Sequence, residues 1–155
     1  MTAPSQSFVQ LHNHTHYSLL DGASKIPELV KRVKELGMPA VAITDHGNMH
    51  GAYELWSNAV KEGIKPIIGI EAYVTPETAR QDKSRVHWGT EAQHSIDVSG
   101  GGLITHLTLW AENDQGLVNL MKASSVANLE GRVMRYPRMD KEVLSPSSKG
   151  VLRPS

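Results

Sequence analysis

The 155-residue chain has no cysteine. No disulfide framework can form, and any metal site must draw on imidazoles and carboxylates. Neither sign of charge is in excess, with 16 Lys+Arg against 16 Asp+Glu. That balance argues against a domain that holds nucleic acid by its bulk electrostatics, because phosphate binding needs clustered cations. It leaves room for a neutral catalytic module attached to nucleic-acid machinery. No apolar run approaches the ~20 residues of a membrane span. Met1 to Ser7 lacks the charged and apolar regions of a signal peptide. A cytoplasmic protein with no membrane partner is therefore expected. Charged residues make up 21% of the chain and hydrophobic ones 39%, a composition that folds, and the length suffices for one domain with a core.

What is present alternates between short apolar runs and amphipathic stretches. Phe8–Leu11 reads as a strand, Ile26–Leu36 as a helix and Ala40–Ile43 as a strand buried on both faces. Ser24 is placed to cap the first helix, and Gly37 to end it. Ala52–Lys61 predicts a second helix, ended by Gly63, and Pro66–Ile70 a third strand. Strand, helix, strand, helix, strand with short links is the signature of βαβ units and an α/β fold. A polar stretch from Thr75 to Gly102 interrupts this rhythm and reads as a long surface loop. Leu103–Ala111 follows as a strand, then a helix capped by Asp114 and running to about Asn128. The Ser- and Pro-rich end, from Ser145 to Ser155, reads as an unfolded tail.

Ligand-type side chains recur at the strands. His12, His14 and Asp21 come after the first, Asp45-His46-Gly47 after the second and Glu71 after the third, while His106 lies on the fourth. On an extended segment, residues i and i+2 share a face, so His12 and His14 aim the same way. In parallel α/β folds the carboxyl ends of the strands gather such residues at one mouth. Four histidines and two carboxylates exceed one zinc site and suit two or more metals, which can clamp both oxygens of a phosphoryl displacement. Asp45 fits a catalytic-site role of orienting a ligand through a hydrogen bond rather than binding metal itself. Each residue alone has a plainer reading: His106 as a packed histidine, Glu71 as a helix cap, Asp45-His46-Gly47 as a turn. Their coincidence on four strand candidates shifts the weight. His16, His50, His87 and His94 are read as non-ligands, with His87 and His94 in the polar loop.

Four ordered motifs carry a family resemblance. The run from Val9 to Ala23 resembles the opening of bacterial DNA polymerase III alpha subunits. Ala42–Gly51, Pro66–Tyr73 and His106–Asn113 resemble the motifs that follow it there. Together they resemble the polymerase-and-histidinol-phosphatase (PHP) domain, and the loop around Arg85–Gly89 is similar to a longer actinobacterial version. The resemblance implies a distorted seven-stranded (β/α) barrel, of which this chain would carry roughly the first half to two-thirds. It implies His12, His14, Asp21, His46, Glu71 and His106 as ligands of up to three divalent metals, whether Zn, Mn or Mg. It also implies a 3′–5′ exonuclease or phosphoesterase acting on a DNA 3′ end in proofreading. The expected partners are the rest of the polymerase and replisome subunits such as the sliding clamp.

Two alternatives stand beside that reading. One is a stand-alone phosphoesterase similar to histidinol phosphatase; the other is a non-catalytic structural module. Leu19-Leu20-Asp21-Gly22 favours the polymerase branch. The family's Gly-Cys and Asp-x-His motifs, which supply further ligands, have no counterpart among these residues. The expected organisation is a disordered N-terminus over 1–7, an incomplete PHP domain over 8–144 with a long surface loop at 76–102, and a non-family tail over 145–155, as in a fragment.

Overall fold

Helix α1 (Ile26–Glu35) turns Ile26, Val30 and Val33 inward at helical spacing. Pro27 sits in its first turn, where the missing N–H is harmless. The N-cap is Lys25 with no side-chain hydrogen bond, so the expected Ser24 cap is not formed. Gly37 ends the helix at φ +69°. Strand β1 (Ala40–Ile43) is buried along its whole length. It pairs in parallel with the start of β2 (Lys65–Val74), from Ala40↔Lys65 to Ile43↔Ile68. The expected first strand, Phe8–Leu11, is reduced to one parallel bridge, Gln10↔Val41. That bridge still gives β1 a neighbour on each side, which explains its apolar run without alternation. Helix α2 (Ala52–Glu62) turns Leu55 and Ala59 toward the same core and closes on Gly63 in the left-handed conformation.

The computed structural model describes residues 8–19, 21–86 and 102–154. It divides into two compact units, Met1–Ile70 and Glu71–Ser155. The first is the βαβ unit just built, with Ile26, Val30, Val33, Val41, Ile43, Leu55, Ala59 and Ile64 as its core. Strand β2 is longer than its apolar run, so Glu71 lies within it rather than after it.

In the second unit the strand order is β4 (Arg132–Val133), β5 (Tyr136–Met139), β2, β3 (Thr105–Ala111), β6 (Val151–Leu152). Strand β5 (Tyr136–Met139) runs parallel to β2, with Tyr73↔Arg138 and Val74↔Met139. Strand β4 (Arg132–Val133) forms an antiparallel hairpin with β5. Strand β3 (Thr105–Ala111) pairs antiparallel with β6 (Val151–Leu152). The class is α/β as expected, with antiparallel edges added to the parallel centre. Helix α3 (Asp114–Glu130) is capped by Asn113, whose side chain accepts from the Gly116 amide; the expected cap, Asp114, is the first helical residue.

The segment expected to be an unfolded tail is ordered in its described residues. After helix α4 (Lys141–Leu144), this segment holds a 3₁₀ turn (Pro146–Ser148) and β6 (Val151–Leu152). Gly150 explains the difference. Its carbonyl accepts from the Glu112 amide at 2.9 Å, and Asn119 donates to the Lys149 carbonyl at 2.8 Å. Gly116 makes the approach possible, because a Cβ there would lie 1.7 Å from the Gly150 oxygen. The polar composition hides this anchoring, which depends on groups some 30 residues upstream.

A network of ion pairs and hydrogen bonds, buried at Arg138 and Asp140 and open to solvent at Glu130 and Glu142, holds the start of the 75–86 loop. Arg138 is fully buried and donates to the carbonyls of Leu103 and Arg80. The Arg80 guanidinium reaches Glu130, Asp140 and Glu142, and its amide donates to Asp140 at 2.9 Å. Asp140 also caps α4 through the Val143 amide. At the far end of the described loop, the Val86 amide donates to the Gly102 carbonyl at 2.9 Å. Gly102 has φ +78°, and a Cβ on it would meet the Val86 oxygen at 2.4 Å. Residues 87–101, which include most of the expected surface loop, lie outside the described residues.

Two outcomes follow. Leu55 is fully buried in the first unit, so Leu55→Ala is expected to lower unfolding stability by about 2–5 kcal/mol, read from the urea midpoint. For Asp140, burial pushes the carboxyl up, but the Arg80 and Val143 amides and the Arg80 guanidinium outweigh it and hold the group below its ordinary value. A carboxyl depressed on folding stabilises above its unfolded pKa, about 3.9, and loses that contribution as pH falls through the folded value. Urea melts are therefore expected to weaken below about pH 4, and Asp140→Asn to flatten that dependence.

Candidate metal centre

The first unit builds its donors on a loop stitched to the carboxyl end of β1. Asn13 is tied to that strand end by three contacts. Its amide donates to Thr44 Oγ1 at 3.1 Å, its side chain donates to the Ala42 carbonyl at 2.9 Å, and its carbonyl accepts from the Thr44 amide at 2.8 Å. Thr15 and Ser18 are buried and bind Asp45, itself 1% exposed. Asp45 accepts from the Thr15 amide (2.6 Å), Thr15 Oγ1 (2.8 Å) and Ser18 Oγ (2.6 Å). Asn13 and Thr15 thus face the strand end, and alternation sends His12 and His14 the other way.

Asp21 returns to His14 through a tight turn. The amides of Asp21 and Gly22 both donate to the Ser18 carbonyl, at 3.0 and 2.8 Å. Gly22 is required here, since a Cβ would lie 2.3 Å from the Thr15 oxygen. The turn after β1 delivers His46, whose amide donates to Ser18 Oγ at 3.1 Å. Gly47 follows at φ +62°.

The result is a set of converging donors. Asp21 Oδ2 pairs with His14 Nδ1 and lies 2.8 Å from His46 Nε2. His14 and His46 have ring centroids 4.1 Å apart. One ligand atom each from His14, Asp21 and His46 falls within a mutual 4.8 Å. The Asp21 carboxyl is held below its ordinary value by hydrogen bonds with His46 and then His14. His12 Nε2 and His14 Nε2 approach to 3.3 Å. That is about the edge of a tetrahedron whose centre lies 2.0–2.1 Å from each nitrogen, the zinc–imidazole distance. Imidazole nitrogens with a carboxylate oxygen suit a divalent cation, and the donor set fits one.

Glu71 and His106 lie in the second unit. Glu71 is buried on β2, and its Oε1 pairs with Nδ1 of His106, the second residue of β3. The Tyr73 ring meets the His106 ring edge-on with centroids 5.2 Å apart. The six candidates therefore fall as four in the first unit and two in the second. Asp45 hydrogen-bonds Thr15 and Ser18, and acts on His46 through Ser18. The His16 ring stacks beside Tyr17 at 4.2 Å, and its Nδ1 faces the Ser24 carbonyl. His87 and His94 lie outside the described residues. The sequence reading did not single out Asn13, Thr15, Ser18 and Thr44. The signal was there: polar residues alternating with His12 and His14, facing Thr44-Asp45.

The chain matches the description "PHP domain" over residues 10–155. It belongs to the PHP domain family. It is 52% identical over 151 residues to DNA polymerase III subunit alpha of Mycobacterium tuberculosis strain H37Rv, covering 97% of this chain and 13% of that protein. Against DNA polymerase III subunit alpha of Saccharopolyspora erythraea it is 48% identical over 156 residues, covering 96% of this chain and 13% of that one. The chain thus spans about an eighth of the length of these relatives. Among solved structures, an amidohydrolase from Chromobacterium violaceum is similar at 21% identity and a TM-score of 0.47, covering 77% of this chain and 33% of the other. The PHP match continues through the segment from 145 to 155 that the sequence reading set apart.

The PHP loop from His12 to Ser18 depends on Asp45. Asp45→Ala leaves three buried donors unsatisfied, so a loss of at least about 3 kcal/mol is expected in urea unfolding. Zinc uptake should weaken with it. A variant that keeps parental stability and zinc affinity would show that Asp45 does not hold the loop.

Proposed function

We propose that this PHP domain is a metal-dependent phosphoesterase module of a bacterial DNA polymerase III alpha protein. Its ligands would be His12, His14, Asp21, His46, Glu71 and His106. The carboxylate of Asp21 set between His14 and His46 carries the reading. The similarity of nearly the whole chain to polymerase alpha subunits favours that context over a stand-alone phosphatase. The substrate is then a DNA 3′ end, the reaction 3′–5′ phosphodiester hydrolysis in proofreading, and the partners the remaining polymerase and replisome subunits such as the sliding clamp. The setting is the cytoplasm; among the described residues, no helix is long and apolar enough to cross a membrane.

The proposed ligands would hold a divalent metal, whose chemistry would be to lower the pKa of water to about 7 and to stabilise charge on phosphoryl oxygens. The protein's part is to hold the donors. Asp21 keeps the rings of His14 and His46 turned toward one oxygen. Glu71 accepts from His106 Nδ1–H, which leaves the ring's lone pair on Nε2. Asp45 fixes the loop that presents His12 and His14.

Elemental analysis after dialysis against Mn²⁺ or Zn²⁺ tests the ligands. Metal content is expected to drop in His12→Ala, His46→Ala and Glu71→Gln and to stay unchanged in His87→Ala. Unchanged content in the first three would sink the assignment. With no Gly-Cys or Asp-x-His motif in the sequence, the 155-residue chain alone is expected to hydrolyse single-stranded DNA weakly. A high rate abolished by His14→Ala would show these residues to be sufficient.

A further inference from the structure

We infer that the β4–β5 hairpin, with Tyr73 beside it, forms a contact site for a single nucleic-acid strand, in which Arg135 holds a phosphate and the Tyr136 and Tyr73 rings stack bases. The inference rests on the phosphoesterase reading and names how the second unit would hold that substrate.

The argument begins with the hairpin. Arg132↔Pro137 and Val133↔Tyr136 are paired, so Met134 and Arg135 form a two-residue loop. Met134 has φ +55°. A positive φ on the first loop residue is the ordinary place for glycine, and a side chain there costs about 1–2 kcal/mol. The residue at this strained tip is also 78% exposed. The neighbouring Arg135 is exposed, donates to Tyr136 Oη at 3.0 Å and sits 5.1 Å from the centre of that ring. Among the described residues neither Arg135 nor Arg132 has a carboxylate partner, whereas Arg80, Lys141 and Lys34 each do. Two guanidiniums thus remain on one small hairpin without internal counter-charge.

The rings lead from the hairpin to the candidate ligands. Tyr136 and Tyr73 meet at 5.0 Å, and Tyr73 and His106 at 5.2 Å. Tyr73 also shares a strand face with Glu71 two residues earlier. All three rings are partly exposed or exposed. A cation without a carboxylate partner, followed by a row of aromatic faces, is how proteins hold single strands without reading sequence. A duplex groove can take a two-stranded ribbon, but β4 is only two residues long, too short to lie along one. The even overall charge limits the affinity and makes it depend on these few arginines.

The test is fluorescence anisotropy of labelled oligo(dT) and oligo(U) on the full 155-residue chain across a salt series. Arg135→Ala should lower the slope of log K against log salt by about 0.7, one single-strand phosphate contact. Tyr136→Ala should weaken binding by about 5- to 100-fold, and Tyr136→Phe should restore most of it. A purely structural tyrosine would not change the oligonucleotide affinity at unchanged urea midpoint. Tighter binding of oligo(dT) than oligo(U) assigns the site to DNA, and equal binding supports single strands in general. The inference is overturned if Arg135→Ala leaves slope and affinity unchanged. It is equally overturned if polyglutamate binds to the same extent, or if a duplex binds better. Metal content separates it from the reading beneath it. Loss of the Arg135 effect with His46-dependent metal uptake intact removes the hairpin site alone. An Arg135-dependent affinity without metal uptake removes the phosphoesterase reading alone.

Discussion

The carboxylate of Asp45 accepts three hydrogen bonds inside the first unit, and the placement of the donor residues there depends on it. It binds the Thr15 amide, the Thr15 hydroxyl and the Ser18 hydroxyl. Ser18 passes the constraint on in two directions. Its hydroxyl takes the His46 amide, and its carbonyl closes the turn that brings Asp21 back. A buried carboxylate is costly unless its lone pairs are used, and here they are used to fix two loops against each other. The imidazoles above can then be both partly open to solvent and held in place. Preorganisation of donors by groups that never touch the metal is the usual division of labour at such centres.

The second unit solves a similar problem with arginines. Arg138 is buried and holds backbone carbonyls of two segments, while Arg80 spends its guanidinium on three carboxylates. Long planar side chains with five donors suit this bridging of irregular backbone. Burial pulls the Arg138 guanidinium below its ordinary value, and hydrogen bonds with Glu130 and Asp140 push that of Arg80 up. Both nonetheless remain charged at any physiological pH. Electrostatics here serves architecture, and the arginines of the β4–β5 hairpin, which have no carboxylate partner among the described residues, stand apart from it.

Much of this was legible in the amino-acid order, for physical reasons that can be named. The elements from α1 to the start of β2 follow apolar spacing and glycine stops closely, because a βαβ unit buries its strands on both faces and marks its turns sharply. The candidate donors could be picked out because His, Asp and Glu at strand-associated positions are conspicuous in a chain without cysteine. What stayed hidden rests on contacts far apart in sequence. The length of β2 beyond Ile70 is set by pairing with β5, and the order of the last residues by Gly116 and Asn119 receiving Lys149 and Gly150. The framework residues Thr15 and Ser18 resembled ordinary turn formers. Only their burial against Asp45 shows otherwise.

The clasp between Val86 and Gly102 has a consequence for chain length. Its two ends are joined by a backbone hydrogen bond and by a contact that only glycine permits. Closing a flexible segment costs entropy that grows slowly with its length, about 0.6 kcal/mol for each doubling. By that entropy alone, a change in the number of residues between the two ends costs the strands on either side little. This is where the chain can vary in size, or accept a grafted segment, while β2 and β3 stay in register.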